Sequence, residues 1–270
     1  MDTLRAAVVS SRSRFCDTDA NLKHFASLTN RAAEKGARLV CFPELALSSY
    51  TTRREVLDVA EKIPGPSTDA LSEIAARNEV TISVGMPEKA GNRYHIAQVL
   101  AGPDGYIGKY RKHHPTGDEQ TCGFSPGKTF PSFTIDGFRF GINICADGRQ
   151  PGTVDALKKK RVDVIHHPHG NVLSLGRNSE EWTRGKVVYF VPRAVHARAY
   201  ILINNSAGDT VDQGGKMRFG SGALAIDPLG QVVKRTTQET RSEKMIVVDL
   251  LRPLDRLVPD FEMRVLKRNP

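Results

Sequence analysis

Hydrophobic residues along this chain follow two periods, one typical of strands and one typical of helices. The apolar runs at residues 4–10 and 38–42 are strand-sized and nearly continuous, as in buried strands. Between them, apolar residues recur at helical spacing from Asp19, which can cap a helix, to Gly36, which can end one. This strand-helix-strand order predicts a sheet with helices packed against it.

The same order continues along the chain and alternates with hairpins. Further helices are predicted over 67–77, 153–160 and 180–199, the last interrupted near Pro192, and further strands over 80–85, 162–166, 201–204 and 245–248. Hairpins are predicted for 94–100 with 106–110, 132–135 with 138–144, and 223–226 with 231–233. The mixture favours a four-layer α-β-β-α sandwich with two mixed sheets over a doubly wound fold, whose Gly-x-Gly-x-x-Gly fingerprint is absent from the sequence.

Length and composition favour one domain. The 270 residues are 39% hydrophobic, which is enough for one substantial core, and no linker-like or repeated segment interrupts them. We expect a domain over residues 1–250 and a C-terminal arm over 251–270, whose apolar residues keep no single period and which could contact a partner subunit or be disordered. The longest apolar runs are too short for a membrane span, and the first lacks the features of a signal peptide, so we expect a cytoplasmic protein.

The charge and cysteine content exclude several functions. The net charge of +9 could attract an anion, but basic residues are scattered except at 158–161 and in the tail, and aromatic residues make up only 7% of the chain. Nucleic-acid binding is therefore disfavoured. The four cysteines have neither Cys-x-x-Cys spacing nor the density of a disulfide scaffold, which suits a reducing compartment.

Three imidazoles lie within residues 166–169 and raise the question of a metal site. His166 and His167 point to opposite faces of a strand, and no sulfur or acidic ligand follows at a familiar spacing. We therefore expect no metal. His167 or His169 could instead line a substrate pocket, or form a polar strand end.

Three reactive side chains each follow an apolar run: Glu44, Lys112 and Cys145. Considered alone, Glu44 fits an exposed loop carboxylate, Lys112 fits a solvated basic turn, and Cys145 fits a buried core thiol. Together they supply a general base, a cation and a nucleophile, which are the components of acyl transfer.

The sequences around these residues resemble the nitrilase, or carbon-nitrogen hydrolase, superfamily. The motifs are Phe-Pro-Glu at 42–44, Tyr-Arg-Lys at 110–112 and Gly-Ile-Asn-Ile-Cys-Ala-Asp-Gly-Arg at 141–149. Similar segments occur in the same order at 102–112, 124–127, 193–208 and 222–230. The resemblance implies the α-β-β-α sandwich, a Glu44-Lys112-Cys145 triad acting through a thioester without a cofactor, a supporting role for Glu119 and a homodimer or larger assembly.

Two departures from the family pattern affect the expected substrate and local geometry. True nitrilases usually carry Trp-Glu after the cysteine, whereas this chain has Ala146 and Asp147, so we expect hydrolysis of a small amide or N-carbamoyl compound, releasing ammonia or an amine. A nitrilase is the alternative, and a non-catalytic binding protein is a third hypothesis. Gly152 stands where the family commonly has glutamate, which removes an expected carboxylate near Arg149.

The sequence does not identify the substrate. Pocket residues are expected at His113, Ala146, His167 and His169, and in loops at 48–55, 113–122 and 170–184. Arginines in or near these loops make a carboxylate on the substrate plausible; they are Arg53, Arg54, Arg177 and Arg184.

Overall fold

The computed structural model describes residues 3–173, 179–213, 215–236 and 242–252. Its strands are β1 (Thr3–Ser10), β2 (Leu39–Cys41), β3 (Thr81–Ala90), β4 (Arg93–Gly102), β5 (Gly105–Arg111), β6 (Phe133–Ile135), β7 (Phe138–Ile142), β8 (Val164–His169), β9 (Tyr200–Asn205), β10 (Asp209–Asp212), β11 (Gly215–Arg218), β12 (Ala223–Ile226), β13 (Val232–Arg235) and β14 (Lys244–Leu251). The helices are α1 (Thr18–Ala33), α2 (Pro66–Asn78), α3 (Gly117–Cys122), α4 (Pro151–Lys159) and α5 (Ser179–Ala197).

Most of the strands form two six-stranded sheets of similar design. The strand orders are β14-β1-β2-β3-β4-β5 and β13-β12-β9-β8-β7-β6. In the first sheet β1, β2 and β3 are parallel, and in the second β7, β8 and β9 are parallel; the flanking strands are antiparallel. Both sheets are therefore mixed, as the alternation of β-α-β units with hairpins predicted.

Three apolar layers separate four layers of secondary structure. Neighbouring residues of β1 show the arrangement, because Val8 packs between the two sheets whereas Val9 packs between the first sheet and its helices. A third cluster, which includes Phe190, lies between α4, α5 and the second sheet. Burial on both faces explains why the central strands are continuous apolar runs. The predicted α-β-β-α sandwich is confirmed.

Some predicted boundaries were wrong in detail. Asp17, not Asp19, caps α1, because its carboxylate accepts a hydrogen bond from Ala20 N at 3.1 Å. Helix α5 continues through Pro192 instead of breaking there. Proline removes one bond to the carbonyl of Val188, and Val188 lies on the exposed side of the helix, where water can take that bond. The β10–β11 hairpin and the short helix α3 were not predicted.

The predicted C-terminal arm begins at the last residue of β14, and residues 253–270 lie outside the described part of the chain, as does Arg177. Among the helices that the structure describes, none has both the length and the apolar character needed to cross a membrane.

Candidate active site

The ends of three strands bring the predicted reactive residues together. Glu44 follows β2 and Lys112 follows β5 in the first sheet, while Cys145 follows β7 in the second. The Lys112 ammonium donates to Glu44 Oε1 at 2.6 Å and to Glu119 Oε1 at 2.7 Å. None of these three charged side chains has any exposed surface. The sandwich thus buries one cation between two carboxylates.

Burial dominates the ionisation of this cluster. Loss of solvation raises the pKa of Glu44, and although the Lys112 ammonium opposes that shift, the charge of Glu119 adds to it and the pKa reaches about 7. Burial lowers the pKa of Lys112, but Glu44 and Glu119 more than offset this, so its pKa is raised and it stays charged. Glu44 is therefore a carboxylate that can exchange a proton near neutral pH.

Glu119 is held in place by two neighbouring elements. Its Oε2 accepts from Thr116 N at 2.8 Å in the capping box of α3, and its Oε1 accepts from the Tyr50 hydroxyl at 2.8 Å. Tyr50 lies in the loop at 48–55 that was expected to contribute to the pocket, but no motif singled it out in the sequence analysis. The capping pattern Thr116-x-x-Glu119 was readable from the sequence.

A glycine allows the backbone around Glu44 to reach this position. A Cβ atom at Gly85 would overlap the backbone of Glu44 and Leu45, and Gly85 N donates to Pro43 O at 3.1 Å. The turn after β2 can therefore lie directly on β3. The second carboxylate oxygen of Glu44 accepts from Gly170 N at 2.9 Å, which fixes the orientation of the side chain.

The Cys145 thiol lies on a strained turn. Its φ of 44° is in the left-handed region, which is uncommon for a residue other than glycine. Asn171 Nδ2 donates to Cys145 Sγ at 3.3 Å. Burial, together with the charge of Glu44, raises the pKa of Cys145 to about 12, whereas Lys112 acts to lower it. The thiol is thus protonated at rest and lies within electrostatic reach of both the carboxylate and the ammonium.

A residue missed by sequence analysis, Asp147, holds this turn against the lysine strand. Asp147 is fully buried and accepts from Ile144 N at 3.0 Å, from the Tyr110 hydroxyl at 2.7 Å and from His114 N at 2.7 Å. Because Tyr110 and His114 flank Lys112, one carboxylate aligns the cysteine turn with the lysine. Its position two residues after the cysteine was the available signal.

The histidines fall into two groups. His166 lies between the sheets, where it contacts Ser83 and Asn204. His167 and His169 face α5, and burial lowers both of their pKa values well below the usual range, so they are neutral. His167 bonds the backbone of Cys145 and packs on Gly148, where an added Cβ would lie 2.7 Å from the ring.

A cavity of about 610 Å³ opens beside the thiol. Cys145, Arg149, His169, Asn171 and Lys186 contribute to its wall. Of the predicted pocket residues, His169 lines this cavity, whereas His113, Ala146 and His167 are not among the described side chains that do. Lys186, on α5, is a further residue that sequence analysis missed.

Of the arginines predicted to favour a carboxylate substrate, the three that the structure describes, Arg53, Arg54 and Arg184, do not line this cavity. Arg53 pairs with Glu55, and Arg184 pairs with Glu180 at 3.6 Å. A larger groove of about 880 Å³, lined by residues that include Arg12, also lies apart from Cys145. Within the described ranges, no group of three or more His, Cys, Asp or Glu side chains is arranged to hold a metal ion.

Comparison with known proteins gives consistent matches over nearly the whole chain. The sequence model of the family described as carbon-nitrogen hydrolase matches residues 5–254. A nitrilase from Pyrococcus abyssi is 30% identical over 265 residues, which cover 96% of this chain and 94% of that protein. An omega-amidase from Mus musculus is 31% identical, with 89% of this chain and 87% of that protein covered.

Solved structures share the architecture. An amidase from Nesterenkonia sp. AN1, with the acetamide moiety of fluoroacetamide covalently added at its active-site cysteine, matches with a TM-score of 0.79 and 21% identity, covering 99% of this chain and 97% of that chain. A CN-hydrolase superfamily protein from Xanthomonas campestris matches with a TM-score of 0.78 and 19% identity, covering 100% and 98%. At such identities the likeness establishes the fold.

Proposed function

Because the chain belongs to the carbon-nitrogen hydrolase family, we propose that it is a cysteine amidase that cleaves small amides or N-carbamoyl compounds and releases ammonia or an amine. The observation that carries the proposal is the buried Lys112 ammonium between Glu44 and Glu119, within electrostatic reach of a strained Cys145. This arrangement supplies a base, a fixed cation and a nucleophile at one place. Since the chain is a hydrolase, the non-catalytic hypothesis is not retained.

The proposed reaction has two stages, transfer of the acyl group to Cys145 and hydrolysis of the resulting thioester. Glu44 takes the thiol proton as Cys145 attacks the carbonyl carbon, and Lys112 with the backbone N–H after Cys145 stabilises the oxyanion. Glu44 returns the proton to the leaving nitrogen, and a thioester remains on sulfur. Glu44 then deprotonates a water molecule that attacks the thioester carbonyl carbon. The carbon-sulfur bond breaks, the Cys145 thiolate takes the proton back from Glu44, and the acid leaves.

An amide is favoured over a nitrile by the residues after the nucleophile. Ala146 replaces the tryptophan usual in true nitrilases, and the Asp147 carboxylate is fully engaged in holding the turn. The similarity to the Pyrococcus abyssi nitrilase keeps nitrile hydrolysis as the second candidate.

Ammonia release from a panel of small amides, N-carbamoyl amino acids and nitriles tests the proposal. We expect turnover of amides or carbamoyl compounds. Turnover of nitriles alone would establish the second candidate, and no turnover of any member would contradict both.

The pH dependence of kcat/KM should follow the ionisation of Glu44. Its carboxylate form is the proposed base, so kcat/KM should rise with pH through an apparent pKa near 7. The charge of Glu119 raises the pKa of Glu44, so Glu119→Gln should move this limb to lower pH. Glu73→Gln, at an exposed site on α2, is the matched control and should leave the limb in place. An apparent pKa in Glu119→Gln that is unchanged or raised relative to wild type would contradict the electrostatic coupling between Glu119 and Glu44.

The chain is also proposed to form a homodimer through the outer face of α5. Val188 is 74% exposed and Val195 is 48% exposed, and Leu229 beside them is 78% exposed. Apolar side chains this exposed on one face are typical of an interface. Val188→Glu should convert the dimer to a monomer, as measured by sedimentation velocity. Ile107→Glu, on the other sheet, should leave the dimer intact. A wild-type monomer would rule out this assembly.

We retain the cytoplasm as the proposed location. The support is chemical: all four cysteines of the described chain are free thiols, as expected in a reducing compartment. Recovery of the protein in a periplasmic or secreted fraction would contradict it.

A further inference from the structure

The Cys145 thiol accepts a hydrogen bond from a side chain outside the Glu44-Lys112-Cys145 triad. The donor is Asn171, whose Nδ2 lies 3.3 Å from Cys145 Sγ. Asn171 follows the end of β8 by two residues and forms part of the wall of the cavity beside the thiol. The contact therefore joins the attacking atom itself to a neutral polar group of the second sheet.

The indole of Trp182 fixes which end of the Asn171 amide faces the sulfur. Trp182 Nε1 lies 3.1 Å from Asn171 Oδ1, and an indole N–H can only donate a hydrogen bond. The atom of Asn171 that faces the indole must accept, so it is the carbonyl oxygen. The amide nitrogen then faces Cys145 Sγ as a donor. Rotation of the amide by 180° would break both contacts.

The backbone of Asn171 is held by Asn205, the last residue of β9. Asn171 N donates to Asn205 Oδ1 at 2.8 Å, and Asn205 Nδ2 donates to Asn171 O at 2.9 Å. Gly220 N donates to the same carbonyl at 2.9 Å. A Cβ atom at Gly220 would lie 2.9 Å from Asn205 Nδ2 and 3.1 Å from the Trp182 indole. A side chain at position 220 would therefore displace the groups that hold Asn171.

Negative charge develops on this sulfur in both stages of the proposed reaction. Loss of the thiol proton to Glu44 forms a thiolate, and cleavage of the thioester forms it again. Burial raises the pKa of Cys145 to about 12, so the thiolate is costly in this site. A hydrogen bond to an anion is stronger than the same bond to its neutral form. The contact from Asn171 thus strengthens as charge forms, which is the condition for lowering a barrier.

We propose that Asn171 is a further catalytic residue, which stabilises the Cys145 thiolate through its amide N–H, and that Trp182 is a positioning residue that holds the amide in the donating orientation. The inference rests on the proposed amidase function for its two thiolate stages. The proton moves between sulfur and Glu44, and the Asn171 amide keeps both of its hydrogens. Lys112 and the backbone N–H after Cys145 act on the substrate oxygen, so the two developing charges have separate donors.

The rate at which iodoacetamide alkylates Cys145 measures thiolate formation without amide turnover. Cys16→Ser is the background for every variant, so that the half-buried Cys16 does not contribute. Asn171→Leu, which is similar in size but has no donor, should lower the second-order rate constant about 10- to 100-fold. Asn78→Leu, at an asparagine of α2 that donates to Ile74 O, is the matched control and should leave the rate unchanged. Equal rates in Asn171→Leu and the background would overturn the proposal.

Trp182→Phe tests the positioning role, because phenylalanine keeps an aromatic ring at this place but has no N–H. Alkylation should slow about 3- to 10-fold, as expected for loss of one neutral hydrogen bond. Added to Asn171→Leu, the same change should have no further effect, because the amide that Trp182 orients is already absent. Effects that multiply in the double variant would show that Trp182 acts through packing alone and would overturn its positioning role.

Turnover of the preferred amide gives a second readout. In Asn171→Leu and in Trp182→Phe, kcat should fall while KM stays close to wild type, because the lost bond strengthens only as the thiolate forms. A raised KM with unchanged kcat would place Asn171 in substrate binding and overturn the proposal. Alkylation that slows in Asn171→Leu, in a chain that turns over no amide, would keep the thiolate role and overturn the proposed function. Equal alkylation rates beside normal amide turnover would do the reverse.

Discussion

Replacement of Cys145 by alanine is expected to lower ammonia release by about 10⁵-fold or more, as in other enzymes that lose a covalent nucleophile. No other thiol can substitute, because Cys41 and Cys122 are buried in the core and Cys16 lies on a separate turn. Without the sulfur, the acyl group has no carrier, and Glu44 and Lys112 have nothing to activate. Ammonia release from the preferred amide, followed over hours, is the measurement.

The fold should survive this change. Alanine and cysteine bear a similar cost at the positive φ of position 145, and the principal loss is the 3.3 Å contact from Asn171 to sulfur. We expect the free energy of unfolding in urea to fall by only about 1 kcal/mol. Cys16→Ser, a half-buried cysteine also at positive φ, is the matched control and should retain full activity. Turnover that persists in Cys145→Ala would remove the nucleophile assignment.

The sandwich was predictable because its central strands are buried on both faces. Such strands appear as continuous apolar runs, and their ends are visible where polar residues begin, as at Glu44, Lys112 and Cys145. The sequence pattern could therefore place the three residues at strand ends, and the family resemblance predicted that they act together as a triad. The β10–β11 hairpin was harder to predict because its strands are short and mostly polar.

The geometry that makes these residues reactive was not predictable from local patterns. Cys145 has its positive φ in a turn that Asp147 ties to Tyr110 on another strand, and no propensity of cysteine indicates that conformation. Tyr50 and Lys186 reach the site from a loop and from a helix remote in sequence. Their roles depend on how separate layers of the sandwich pack together. The periodicity of hydrophobic residues within one segment does not reveal that packing.

The location of Arg149 relative to the active site could be read only from the structure. In the sequence, Gly152 indicated only a missing carboxylate. In the structure Arg149 lies on the wall of the cavity beside Cys145, as does Lys186. Of the arginines from which the sequence analysis inferred an anionic substrate, Arg53 and Arg184 are paired with carboxylates of their own.

Replacement of Lys112 by methionine is expected to abolish activity and to destabilise the protein. Loss of the cation should lower kcat/KM at least about 10²- to 10³-fold, the effect of removing one group that stabilises an oxyanion. It also leaves Glu44 and Glu119 facing each other without a counter-ion, and breaking a buried pair in this way costs about 3–5 kcal/mol. Urea denaturation and ammonia release measure the two effects.

The loss of stability should depend on pH in a defined direction. Lys112 lowers the pKa of Glu44, so its removal raises that pKa further above the value in the unfolded chain. A carboxyl group whose folded pKa is raised is best tolerated while protonated, so the variant should be most stable in acid and should lose stability as the pH rises through neutrality. A deficit that is constant from pH 5 to pH 8 would contradict this account.

A second substitution separates the electrostatic role of Lys112 from its chemical role. Lys112→Met combined with Glu119→Gln leaves one buried carboxylate instead of two, so much of the lost stability should return while activity stays absent. Lys109→Met, on the strand that leads to Lys112, is the matched control: its partner Glu88 keeps Arg111, and the change should be mild in both measurements. Recovery of activity in the double variant would show that the ammonium serves only to neutralise the two glutamates.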